Sequence, residues 1–238
     1  MDGAEIRKRN LIQPSQIPYS TTLGPQYDSG DFPKIFETAL AASDYAGFAA
    51  RREESKKRGK LRGIGCSTYL EACGIAPSAV VGSLGARAGL YEVGTIRVHP
   101  TGSVTVLTGA HSHGQGHETA FAQILSEKLG LPFDAIDLIQ GDSDLVVKGG
   151  GTGGSRSSQM GGVATSRAAT MVVEKAKRIA AHLLEAGVAD IEFLNGRFSV
   201  AGTDIATSWP AVIAAAHDPA RLPPNETPGL DEQMTYTR

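Results

Sequence analysis

The segment Gly149 to Gly162, GGGTGGSRSSQMGG, stands directly before a long stretch of helical periodicity, and it constrains this chain more than any other feature. A glycine-rich turn feeding a helix exposes backbone N–H groups at the positive end of that helix, a ready-made site for an anion. Glycine also lets the backbone approach a phosphate closely and adopt the positive φ angles such loops use. An earlier segment, Gly109 to Thr119, the first of the two loops in chain order, has the same arrangement before another amphipathic stretch. The 29 glycines among 238 residues, about 12% against a usual 7% or so, are clustered at these places. Two such loops in one chain point to a ligand with more than one anionic or polar end.

The side chains agree with that chemistry. In the second loop Arg156 offers a bidentate charge-assisted contact, and Ser155, Ser157 and Ser158 offer hydroxyl donors. In the first, the Gln115 amide can donate and accept at once, as recognition of a heterocycle edge requires. Rival readings fit less well. Gly149, Gly151 and Gly154 match G-x-G-x-x-G, but Glu174 falls inside the expected long helix rather than at the end of a second strand. No P-loop pattern occurs. His111, His113, His117 and Glu118 resemble a cupin metal motif, yet Glu118 opens a helix and the flanking glycines of that motif are missing. The expectation is no metal held directly by side chains, and tight helix packing without a ligand is the alternative for both loops.

Around the loops the periodicity predicts a mixed α+β chain. A helical connector over 1–60 holds helices at Asp2 to Asn10, after Pro33, and from a cap near Ser43-Asp44. From 61 to 238 a partial α+β domain is expected. Strands are read at Ile64 to Glu71, Tyr91 to His99, Ser103 to Thr108 and Ala135 to Gln140, with Pro100-Thr101-Gly102 as a turn. Phe121, Ile124, Leu125 and Leu129 mark one helix stopped by Gly130. Val163 to Gly187 is a longer one. A hairpin turns at Asn195-Gly196, Ser208 caps a short helix, and the chain beyond Pro219 reads as loop. Both ends look cut.

Charge and composition exclude several classes. Lys and Arg total 23 against 25 Asp and Glu, a net charge of -2, so nothing favours nucleic acid or an anionic membrane. The basic run RREESKKRGKLR has no interleaved aromatics and reads as a solvated helix end. No apolar run approaches the roughly 20 residues of a membrane span. The polar start MDGAEIRKRN and only two cysteines, Cys66 and Cys73, lead to the expectation of a cytoplasmic chain without a disulfide framework.

Several long segments, in order, carry a family resemblance: AEIRKRNLI, PYSTTLGPQYDSGDF, RGIGCSTYLEACG, GAHSHGQGHETAFAQILSEKLG and GGGTGGSRSSQMGG. Together they resemble the molybdopterin-binding large subunit of the xanthine dehydrogenase/aldehyde oxidase family, on the side of its aerobic carbon monoxide dehydrogenase branch. The resemblance implies the α+β cofactor-binding domain of molybdenum hydroxylases, incomplete at both ends, and a molybdopterin cytosine dinucleotide cofactor. It implies that Gly114, Gln115, Gly116 and His117 contact the pterin end. Thr152, Gly154, Ser155, Arg156 and Ser157 would bind elsewhere along the dinucleotide, phosphates included. Oxidative hydroxylation with water as oxygen source is the implied reaction, with 2Fe–2S and FAD on partner subunits in an oligomer. The family's active-site loop and catalytic glutamate have no counterpart between Met1 and Arg238, so no turnover is expected of this chain alone. A truncated remnant or assembly module that binds no cofactor is the competing expectation.

Overall fold

The computed structural model describes residues 2–22, 26–71, 78–83, 85 and 91–237. The chain divides into two compact units, Met1–Leu70 and Glu71–Arg238, whereas the sequence set a boundary at 60/61. Cys73 lies outside the described residues.

The first unit is built from short pieces. Helix α1 (Gly3–Asn10) is capped by Asp2, whose carboxylate accepts from the Ala4 and Glu5 amides. Two minimal strands, β1 (Tyr19–Ser20) and β2 (Gln26–Tyr27), pair antiparallel. Helix α2 (Phe32–Ala42) opens at Asp31, which caps Lys34, with Pro33 in the first turn where its missing N–H costs nothing. Helix α3 (Phe48–Lys57) begins later than the Ser43-Asp44 cap suggested. Asp44 instead takes a positive φ and receives the Gly47 amide, so its side chain organises the turn before the helix. The strand expected over Ile64 to Glu71 does not form: these residues are irregular and mostly exposed, and alternation alone supplies no partner edge.

The second unit carries the core. After α4 (Ser78–Ser83), strands β3 (Tyr91–Val98) and β4 (Val104–Thr108) form the expected hairpin, closed where Gly102 donates to the His99 carbonyl. Helix α5 (His117–Leu129) then crosses to β5 (Ile136–Ile139), which pairs parallel to β4. A parallel neighbour needs such a crossover, and a helix is its usual form. Residues 149–155 stay irregular, but after Arg156 the segment Ser157–Gly162 winds into one wide π-type turn that runs on into α6 (Val163–Leu183). The glycine segment is thus loop for only part of its length.

Strands β6 (Ile191–Leu194), β7 (Arg197–Val200) and β8 (Ala206–Ser208) make a small antiparallel sheet, turned at Asn195-Gly196. Helix α7 (Trp209–Ala216) follows, though the Ser208 side chain makes no capping hydrogen bond. The segment beyond Pro219 is not all loop. Strand β9 (Leu230–Thr237) pairs antiparallel with β3 along its whole length, giving a mixed sheet in the order β5-β4-β3-β9. Its Leu230 is buried, while Asp231, Gln233, Thr235 and Thr237 face outward.

One face of that sheet holds the core. Ile96, Val98, Val104, Val106 and Leu230 meet Leu125 and Leu129 of α5 and the stripe Ala168, Val172, Ala176 and Ile179 of α6. Small residues at helical spacing bring α6 close to the strands. Trp209 joins the smaller sheet to this core: its ring packs edge-on to Phe198 and Phe193 at 5.0 and 5.8 Å. Its Nε1–H donates to the Leu129 carbonyl at the end of α5.

Candidate functional site

At one end of the main sheet the chain leaves β4 at Gly109 and returns near it at Gly149. The approach is so close that a Cβ on Gly109 would lie 2.2 Å from the Gly149 Cα, which only glycine permits. Two bonds stitch the two loops together, and a third braces the second loop behind them. The Gly151 amide donates to the Gly109 carbonyl at 3.1 Å, and the His111 amide to Thr152 Oγ1 at 2.9 Å. Thr152 Oγ1 in turn shares a hydrogen bond with Ser157 Oγ at 2.8 Å. The two segments singled out in the sequence therefore form one body.

Beneath the junction lies a buried ion pair. Arg156 and Glu92 are 4% and 1% exposed, and Arg156 Nη1 donates to Glu92 Oε2 at 3.1 Å. The same Nη1 donates to the Gly151 carbonyl at 2.6 Å, and Nη2 donates to the Tyr91 carbonyl. Glu92 also accepts the Gly150 amide at 3.2 Å through Oε2 and the Val93 amide at 2.9 Å through Oε1. Every one of these bonds is made within the protein, so Arg156 as placed here holds the second loop from inside rather than reaching outward as the sequence suggested.

The outward-facing groups belong to the first loop. Gly114 and Gly116 have φ values of 93° and 76°, and a Cβ at either would meet nothing within 4 Å. Gly116 opens α5 without any side-chain cap on the first-turn amides. Those donors face the positive pole of a 13-residue helix, where negative charge is favoured. Gln115 is exposed, but its amide is folded back on its own turn, accepting from the His113 amide and donating to the His111 carbonyl. His117 is buried: Nδ1–H donates to Gln140 Oε1 at 3.1 Å, and the Gln140 amide donates to Glu118. The rings of His111 and His113 stack 4.9 Å apart. Among the described residues no three His, Cys, Asp or Glu side chains converge as a metal site.

In the second loop Gly154 and Ser155 take positive φ, and Ser155 Oγ donates to Glu71 at 2.9 Å. An open pocket of about 270 Å³ adjoins the junction, lined by Gly109, Asp142, Val146, Lys148 and Gly149 among others. Glu92 was the residue that sequence reasoning passed over. Its signal was available, because it shares the inward parity of Ile96 and Val98 and so had to be buried with a partner.

A molybdopterin cofactor fits this donor set: uncapped helix amides and open glycine turns at one loop, polar loop and pocket near the other. Residues 38–238 match the molybdopterin cofactor-binding domain family. The carbon monoxide dehydrogenase large chain of Afipia carboxidovorans is 41% identical over 99% of this chain and 30% of its own length. The nicotine 6-hydroxylase large subunit of Paenarthrobacter nicotinovorans is 33% identical, over 95% of this chain and 28% of that one. Among solved structures, a Cu,Mo-CO dehydrogenase in its carbon monoxide reduced state superposes with a TM-score of 0.66 at 39% identity, covering 100% of this chain and 30% of that one. Quinoline 2-oxidoreductase from Pseudomonas putida 86 gives 0.64 at 33%, covering 98% and 30%. The chain spans about 30% of the length of the dehydrogenase relatives it matches. Two interlocked glycine loops before helices, on a fold shared with these enzymes, place the chain in the molybdopterin cofactor-binding domain family.

Proposed function

We propose that this chain is the cofactor-holding part of a molybdenum hydroxylase large subunit and takes molybdopterin in its cytosine dinucleotide form. The observation that carries the reading is the uncapped start of α5, presented by Gly114 and Gly116 over open space and braced by the second loop. When bound, the cofactor supplies two-electron oxidation with water as the oxygen source. The chain's own part is to bind and orient it. First-turn amides of α5 donate to anionic or carbonyl oxygens, and Gly114, Gln115, Gly116 and His117 line the pterin end. Thr152, Gly154, Ser155 and Ser157 border the remainder, with Arg156 fixing their backbone from below. Glu71, Glu92 and Glu118 each accept a hydrogen bond within the protein, which suits a holding role better than that of a base for the reaction. The remaining segments of a large subunit, with partner subunits carrying 2Fe–2S and FAD, would complete the enzyme in an oligomer.

The test is to produce the chain in a molybdate-sufficient host that makes the cytosine dinucleotide, and to acid-hydrolyse the purified protein. CMP should be released in equal amount to molybdenum. GMP in its place would overturn the cytosine form, and no nucleotide with no molybdenum would favour a chain that binds no cofactor.

A further inference from the structure

We infer that Glu92 is a positioning residue for the cofactor loops, acting through Arg156 and the second loop on the first; this rests on the cofactor reading above. The argument is one of connectivity. Glu92 sits on β3 in the rigid sheet, yet its carboxylate accepts from the Gly150 amide and from Arg156, which itself grips the Gly151 carbonyl. Gly151 and Thr152 then hold the Gly109 carbonyl and the His111 amide, only a few residues before the open turn at Gly114 and Gly116. Thus one carboxylate fixes the second loop over the sheet and, through Thr152, the His111 amide of the first. The first loop has ties of its own, from the Ala110 amide to Thr108 Oγ1 at 3.4 Å and from His117 to Gln140, but the His111 amide itself is held by Thr152 of the second loop.

A buried ion pair is a poor source of net stability, since two charges lose their hydration to form it. An apolar pair of similar volume would hold the sheet and α6 together about as well. What it would not replace is directionality: one guanidinium and one carboxylate together bond to the Tyr91 and Gly151 carbonyls and to the Gly150 amide. Removing both charges therefore separates positioning from stability. Removing one leaves the other buried and unpaired, and destabilises the fold for that reason alone.

Glu92→Met, Arg156→Met and the double variant should be made in this chain and produced in the same host. Amide hydrogen exchange is measured on the cofactor-free form and molybdenum content on the loaded form. The double variant should melt closer to wild type than either single variant. Exchange at Gly150, Gly151 and His111 should nonetheless be at least tenfold faster, with the α6 amides and the β3 amides other than Val93 unchanged. Its molybdenum content should fall several-fold. A double variant with wild-type exchange at His111 overturns the proposed linkage, whatever its metal content. Faster exchange at all three amides with unaltered molybdenum retention overturns the role in holding cofactor. A wild-type chain that retains no molybdenum refutes the cofactor reading itself, while the exchange data still decide the linkage between the loops.

Discussion

At the scale of single residues, charge pairing does two different jobs. Arg156 and Glu92 are nine-tenths buried or more, so losing one partner strands the other in a low-dielectric interior. Arg156→Ala should cost about 3–5 kcal/mol of unfolding free energy by chemical denaturation, far beyond a typical surface change. The contact between Tyr45 and Asp2 is of the opposite kind, at the surface and tuned by pH. The Tyr45 hydroxyl donates to the Asp2 carboxylate at 2.7 Å and, together with the capping amides, holds that carboxyl below the ordinary range. The same bond pushes the Tyr45 phenol up. For a carboxyl lowered in the folded state, the contribution is present above the unfolded pKa and lost as pH falls through the folded one. For a raised phenol it is present at lower pH and lost as pH rises through the folded value. The Ala4 and Glu5 amides should therefore lose their capped chemical shifts only in acid below the ordinary carboxyl range. In Asp2→Ala they should be uncapped at every pH.

At the scale of elements, the small sheet and the main core meet at Trp209. Its ring packs edge-on against the stacked pair Phe193 and Phe198, and its N–H satisfies the last turn of α5. Trp209→Ala leaves a cavity and an unpaired carbonyl, and should cost about 3–5 kcal/mol in a thermal or urea melt. Elements whose pattern is local were legible in the sequence. The β3–β4 hairpin has alternation plus a turn, α5 has an apolar face plus a glycine stop, and the β6–β7 hairpin has Asn-Gly. Strand β9 was not legible because its inward positions include Glu232 beside Leu230 and Met234, which dilutes the period of two. Its partner β3 lies more than a hundred residues earlier, so only the fold reveals the pairing. Ile64 to Glu71 failed in reverse: it has strand-like residues and no edge to join.

At the scale of the whole molecule, the second unit is a mixed sheet, with α5 and α6 packed on one face, that carries two glycine loops above one end. The locations of both loops, and the positive φ at Gly114, Gly116 and Gly154, followed from glycine clustering before helices. Their interlocking through Gly109 and Gly149, and the inward turn of Arg156, did not. Both involve Glu92, far away in sequence, whose inward parity on β3 marks it as buried but does not name its partner. Because Gly116 combines a left-handed backbone with open space where a ligand is expected, Gly116→Val tests the site with little effect on the core. A β-branched side chain there both strains the turn and fills the cradle. The decisive measurement is molybdenum per polypeptide for wild type and Gly116→Val, each purified from a host that makes the cytosine dinucleotide and each checked for an intact fold. Near-stoichiometric molybdenum in wild type, falling at least tenfold in the variant, is the predicted result. Molybdenum near zero in wild type, or equal occupancy in both proteins, would contradict the assignment of this loop as the cofactor's seat.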